Sequence, residues 1–201
     1  MAIITIPAVK SSSVTLALIR GDSSIELMNK AEVIISPPGA IWVLSFPLGP
    51  QLININNTRP WIAALVQLSK LSNTFKLTPP PYSGPSTGYS GAAPLVKDGG
   101  QLGTSINADG VTVSTAIVLE GDFLGINGEF KTITTDATSD GFGDVTFNFE
   151  PALRAAPADN AVIDIQTPQI ELRLIDPIAA WNIKPPQIYN ISINAIESFG
   201  P

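Results

Sequence analysis

The sequence predicts a mainly β protein in two parts: a larger domain built from both ends of the chain with one helix packed on it, and a small inserted β-barrel or sandwich. Three observations predict this. Alternating, β-branched segments occupy both termini; a single segment near residue 60 repeats apolar residues at helical spacing; and residues from about 96 to 167 hold several short strands at close intervals between Gly, Asn and Asp turns. We expect residues 1–77 together with 168–201 to form the first domain, 78–94 a connector, and 95–167 the insert. With 201 residues the chain is long enough for one large domain or two small ones. A change of composition at the connector favours two.

In chain order, Ile4-Thr5-Ile6 and Ser13 to Arg20 read as paired strands, with Gly21-Asp22 as a turn. Arg20-Gly21-Asp22 spells an integrin-type tripeptide, but Gly-Asp beside a strand is ordinary turn chemistry. Glu32–Ser36 and Ala40–Phe46 flank Pro37-Pro38-Gly39 as a second hairpin-like pair, which Pro47, Gly49 and Pro50 end. The helix follows. Thr58 is placed to cap it, Pro60 fits its first turn, Trp61, Ile62, Leu65 and Leu68 form its apolar stripe, and Gln67 and Lys70 face solvent. Trp61 at the head of that stripe reads as core rather than as a ligand platform. Residues 78–94, TPPPYSGPSTGYSGAAP, carry too much Pro and Gly for a regular element.

Strands are expected at Gln101–Asn107 and Val111–Glu120, then a meander in which Phe123–Ile126 and Glu129–Thr134 meet at Asn127-Gly128. That dipeptide best accepts positive φ at both centres of a two-residue hairpin. Asp136 to Gly143 forms a loop into the strand Asp144–Phe149, and Pro151 to Asp159 is expected to leave the sheet because proline cannot continue a ladder. Gln169–Ile175 and Gln187–Ile196 are longer strands, the latter with one buried face on the parity of Ile188 or on the other. An excursion between two segments of one domain is an insertion at a loop.

Composition removes whole classes of chemistry. Without Cys or His the chain offers no disulfide, no thiolate or imidazole metal ligand, and no Ser-His-Asp or Cys-His nucleophile. A net charge of −6 and a pI near 4.5 argue against a grip on phosphate backbones. The N-terminus lacks the pattern of a secretory signal and no apolar run approaches the roughly 18 residues of a membrane span, so a soluble protein made in a cytosol is expected. Only 14% of residues are charged while 44% are hydrophobic, which points to a surface largely covered by other chains.

Each candidate site has a plainer explanation. Asp136, Asp140 and Asp144 crowd one loop and could chelate calcium, but their spacing is not the EF-hand pattern and fits a solvated hairpin loop. Glu120, Asp122 and Glu129 are carboxylates beside turns rather than an acid/base pair for glycoside hydrolysis. Gly141-x-Gly143 and Gly125-x-x-Gly128 do not open a phosphate-binding helix. Asn56-Asn57-Thr58 and Asn190-Ile191-Ser192 match the glycosylation acceptor without a signal peptide to give it meaning. We therefore expect no enzyme, and no catalytic, cofactor-binding or metal-binding residue.

Three blocks together resemble the distal tail proteins of long-tailed bacteriophages, the ring proteins that join tail tube to tail tip. They are Arg59-Pro60-Trp61-x-Ala63-x-Leu65; the series from Gly100-Gln101-x-Gly103 through Gly121-Asp122-Phe123 and Thr135-Asp136-x-x-Ser139-Asp140-Gly141-x-Gly143 to Pro151-x-Leu153-Arg154-x-Ala156-Pro157-x-Asp159; and Trp181-x-Ile183 with Tyr189-x-Ile191. The resemblance covers about residues 58 to 196. It implies a tail-tube-like β-sandwich with one packed helix and an inserted OB-like barrel. It implies also a homohexameric ring at the distal tail tip of a virion made in the bacterial host cytoplasm. The ring's partners would be the tail tube protein and the tail hub or tip protein, with DNA passing through the lumen without tight binding, and with no cofactor and no membrane. The same sandwich serves tail-tube and tail-completion proteins. A different alternative is a carbohydrate-binding accessory module that stacks sugars on an exposed Tyr82, Tyr89 or Trp181.

Overall fold

The computed structural model describes residues 2–9, 13–26, 30, 32–35, 39–52, 55–176, 182–184 and 188–199. Its strands are β1 (Ala2–Ile3), β2 (Thr15–Arg20), β3 (Ser23–Glu26), β4 (Glu32–Ile35) and β5 (Ala40–Leu52), followed by the helix α1 (Ile55–Leu68). After it come β6 (Asn73–Leu77), β7 (Leu95–Val96), β8 (Gly103–Asp109), β9 (Ala116–Val118), β10 (Phe123–Ile126), β11 (Glu129–Ile133) and β12 (Ala137–Thr138). The series closes with β13 (Val145–Leu153), β14 (Ile170–Leu174), β15 (Asn182–Lys184) and β16 (Ile188–Glu197). The protein is mainly β, and its chain divides into two compact units: residues 1–19, 41–81 and 170–201, and residues 20–40 and 82–169.

The first unit holds a seven-stranded sheet in the order β1-β6-β14-β16-β5-β2, with β15 beside β16. Alternation decides its faces. Along β5 the even positions Trp42, Leu44, Phe46 and Leu48 are buried, and along β16 Ile191, Ile193 and Ala195, so the buried parity of the last strand is opposite to that of Ile188. The helix buries Trp61, Ala64, Leu65 and Leu68, and the Trp61 ring meets Phe46 edge-on at 6.3 Å. It starts at Ile55, three residues before Thr58, so Pro60 lies inside it and the Asn56 carbonyl lacks its i→i−4 donor. Strand partners also differ from expectation. β1 pairs in parallel with β6 rather than with β2, and β4 pairs with β3 rather than with β5. Alternation specifies which face of a strand is buried but leaves its neighbour to long-range packing.

β6 and β14 are antiparallel with Leu77 opposite Ile170, so residues 78–169 leave and rejoin the sheet at two paired positions. Inside this excursion a curled five-stranded sheet runs β10-β11-β13-β8-β7. Asn127 and Gly128 both take positive φ, 50° and 76°, and close the β10–β11 hairpin. Pro151 does not end its strand: β13 continues to Leu153, and a register irregularity between Asn148 and Leu153 absorbs it. The segment 160–165 then joins the sheet's two edges. Leu95 of β7 bridges to Val162, and Gly125 of β10 exchanges two backbone hydrogen bonds with Asp164, at 2.7 and 2.8 Å. Ile163 and Ile165 fill the interior with Ile106, Leu124, Ile126, Phe147 and Phe149.

Residues 82–94 contain no regular element, yet they are not a free connector. The Tyr82 hydroxyl donates to the Ile165 carbonyl at 2.8 Å, Thr87 donates to the Ile117 carbonyl at 2.7 Å, and buried Tyr89 donates to the Ala92 carbonyl. Burial and the nearby Asp122 carboxylate push the Tyr82 phenol up to about 12. Residues 20–40 belong to the same unit, and within them β3 and β4 form a two-stranded ribbon by themselves. Every residue of β3 is exposed, Ile25 at 52%, and Ile34 of β4 is 66% exposed.

One ion pair stands among the core residues. Glu129, Lys131 and Ile133 share a face of β11, and Lys131 is fully buried, donating to Glu129 Oε2 at 2.6 Å and to the Ala152 carbonyl at 2.8 Å. Glu129 also accepts from the Arg154 and Ala155 backbone N–H groups, with the Arg154 guanidinium 3.7 Å away. The two partners are therefore unequal. Glu129→Ala removes the anion beside a buried ammonium and is expected to cost about 3–5 kcal/mol. Lys131→Met leaves the carboxylate its backbone donors and should cost about 1–2 kcal/mol. Urea unfolding of both variants checks this; equal losses, or a larger loss for Lys131→Met, would contradict the asymmetry.

Candidate functional site

The excursion carries a polar cleft of about 510 Å³. Lys97 and Asp98 reach it from just beyond β7, Asn107 from β8, Asp136 and Thr138 from the start of the β12 turn and β12, and Thr146 from β13, over a floor of Ala108, Ala137 and Val145. Strand pairing assembles it. Asn107 and Thr146 face each other across the β8–β13 ladder, and the Thr146 hydroxyl donates to Asn107 Oδ1 at 2.8 Å. The loop 140–144 completes the wall, with Asp140 and Asp144 lining the cleft.

That loop is fixed by its own carboxylate. Asp140 Oδ1 accepts the Phe142 and Asp144 backbone N–H groups at 2.8 and 2.9 Å, and these bonds, that of Asp144 foremost, hold its pKa below the ordinary 3.8. Gly143, at φ +84°, passes so close to the next loop that a Cβ would lie 2.6 Å from the Val111 carbonyl oxygen. Lys97 donates to Asp144 Oδ2, and that hydrogen bond raises the Lys97 pKa above 10.5. Phe142, between the two lining aspartates, is 90% exposed.

The structure thus brings Asp136, Asp140 and Asp144 to one cleft, but with separate tasks. Asp136 Oδ1 accepts the Glu120 N–H at 2.8 Å, Asp140 shapes its turn and Asp144 pairs with Lys97. Among the described residues no three acidic side chains converge as metal ligands would. Glu120, Asp122 and Glu129 do not act together: Glu120 is exposed, and the other two are buried and engaged. Asp122, 2% exposed, accepts from the Ser86 backbone and hydroxyl and from the Leu119 N–H, anchoring residues 82–94. Gly125 lies against Pro168, and Gly128 serves its hairpin. Asn56, Asn57 and Thr58 fall in α1, Asn190 to Ser192 in β16, and Arg20 of the tripeptide pairs with Glu150 at 3.1 Å. Trp181 lies outside the described residues.

Lys97, Asp98, Asn107, Thr138 and Thr146 were not singled out from the sequence. They are scattered over 50 positions, and strand pairing makes them neighbours, that of β8 with β13 for Asn107 and Thr146. Phe142 in Asp-Gly-Phe-Gly was the one signal available, an apolar ring where turn residues surround it. No protein-family model matches the chain, and no curated protein matches it.

Two outcomes follow from these tasks. Asp122→Ala removes a buried acceptor shared by three donors, the Ser86 N–H and hydroxyl and the Leu119 N–H, and is expected to cost about 1–3 kcal/mol, with new protease cuts confined to residues 83–94; unchanged digestion would show the anchor to be elsewhere. Because the Asp140 pKa is depressed, its contribution is present above the ordinary carboxylate range and is lost as pH falls through the lowered value. Asp140→Ala should melt below the parent protein near neutral pH, with the two converging at the acid end of a pH series. A gap that persists in acid would mean that the charge plays no part.

Proposed function

We propose that the protein is a structural ring component at the distal end of a long phage tail, joining the tail tube to the tip or baseplate around the DNA channel. In this reading the seven-stranded sheet with its packed helix is the tail-tube-like sandwich, and the curled sheet joined by residues 160–165 is an inserted OB-like barrel. The observation that carries the reading is the β3–β4 ribbon. Two strands alone are marginal in water, and this pair presents all of β3 and both Ile25 and Ile34 to solvent, which suits a segment completed by a neighbouring subunit. A low charged fraction and the resemblance of the sequence blocks support it. A ring also needs a heterologous contact between unlike edges, which the ribbon and the outer strands of the seven-stranded sheet can supply. The module that stacks sugars on Tyr82 or Tyr89 finds less support, since Tyr89 is buried and both hydroxyls are committed to backbone carbonyls.

Six chains at −6 bring −36 to the ring, a charge that keeps passing DNA from adhering. Native mass spectrometry is expected to give an assembly of six 21.1 kDa chains, alone or with the neighbouring tail proteins present. Ile25→Asp with Ile34→Asp should shift it toward monomer, and double-stranded DNA should not bind near physiological salt. A chain that stays monomeric beside purified tail-tube and tip proteins would defeat the ring; submicromolar, salt-sensitive DNA binding would defeat only the non-adhering lumen.

A further inference from the structure

We propose that the polar cleft between β8, β12, β13 and the 140–144 loop is a binding site for a neutral saccharide, with Phe142 as the surface on which a sugar ring stacks. The inference is independent of ring assembly. It stands on the cleft's unused hydrogen-bonding groups and on the exposed Phe142 of the loop whose Asp140 and Asp144 line it.

The cleft's volume, about 510 Å³, falls in the range of small-molecule sites. Its polar groups are only partly used by the fold. Among the described residues, the Asp98 carboxylate, Asp136 Oδ2, the Thr138 hydroxyl and Asn107 Nδ2 have no hydrogen-bond partner, so free acceptors and free donors line the cleft. Sugar hydroxyls both donate and accept, and they match such a mixed set. Other ligand classes fit less well. Four carboxylates against one ammonium repel a phosphate or sulfate, the carboxylates do not converge on a cation, and the polar wall does not suit a wholly apolar ligand. A basic peptide meets the acidic wall, but it also meets Lys97, already paired with Asp144.

Phe142 supplies what the wall lacks. It lies in the chain between the two lining residues Asp140 and Asp144, 90% exposed, on a backbone pinned by the Asp140 carboxylate and by the close passage of Gly143 past Val111. The held backbone keeps the residue on the loop that forms a wall of the cleft, so stacking the C–H face of a pyranose on it would order one side chain and little of the main chain.

The test uses the full-length protein and an array of neutral hexose and N-acetylhexosamine oligosaccharides, followed by calorimetric titration of the best binder; sialylated and sulfated glycans and an oligolysine peptide are run beside them. Neutral glycans are expected to bind. Phe142→Ala and the pair Asp98→Ala, Asn107→Ala should each weaken that binding by about tenfold or more, with parental melting temperature showing intact folding. Absence of neutral-glycan binding overturns the proposal, as does binding that these variants leave unchanged. A preference for oligolysine that is lost in the Asp98→Ala, Asn107→Ala pair would reassign the cleft to basic segments.

Discussion

The five-stranded sheet of the excursion depends on residues 160–165. A curled sheet has two edges, each a row of unpaired backbone groups, and in this unit one short segment satisfies part of both: it bridges β7 at Val162 and β10 at Asp164 while setting Ile163 and Ile165 into the core. Its position is over-determined. Asp164 returns from its side chain to cap the Gln166 and Thr167 N–H groups, and the Ile165 carbonyl holds the Tyr82 hydroxyl, so the closing segment also fixes where the chain arrives and departs.

Carboxylates do much of the local work in a chain that has neither His nor Cys. Asp122, Glu129, Asp140 and Asp164 each accept from two or more donors, mostly backbone N–H groups of turns and irregular segments. This is how a segment as rich in Pro and Gly as 82–94 becomes ordered without secondary structure: its hydrogen bonds go to fixed side chains and carbonyls rather than to a ladder. It also explains why acidic residues that invite a chemical reading from sequence turn out to be occupied by the fold, with Asp98 the one described acidic residue of the cleft whose carboxylate has no hydrogen-bond partner.

Local signals were legible in the sequence and long-range ones were not. Asn127-Gly128 named its hairpin because both centres need positive φ, and the Trp61, Leu65, Leu68 stripe named the helix because burial there follows the 3.6-residue period. The helix starts at Ile55 rather than just after a cap at Thr58, since Pro60 is tolerated inside it. Strand partners at the N-terminal end were misassigned because adjacent strands in sequence are a default that β1, beside β6, and β5, beside β16, do not follow. The same gap hid the cleft: Asn107 and Thr146 are ordinary strand residues until the β8–β13 register sets them side by side.

The pairing of Leu77 with Ile170 makes the whole excursion, topologically, the loop of a β-hairpin that has grown to the size of a domain. To the ladder of the seven-stranded sheet it makes no difference whether that loop is a few residues or residues 78–169, because the last bonded pair before it and the first after it are the same pair. Surface chemistry carried on the loop can therefore be traded between related chains by recombination at two adjacent positions, while the sheet that receives it keeps its register. A fold wired in this way separates the ladder that must keep its register from the segment that is free to vary.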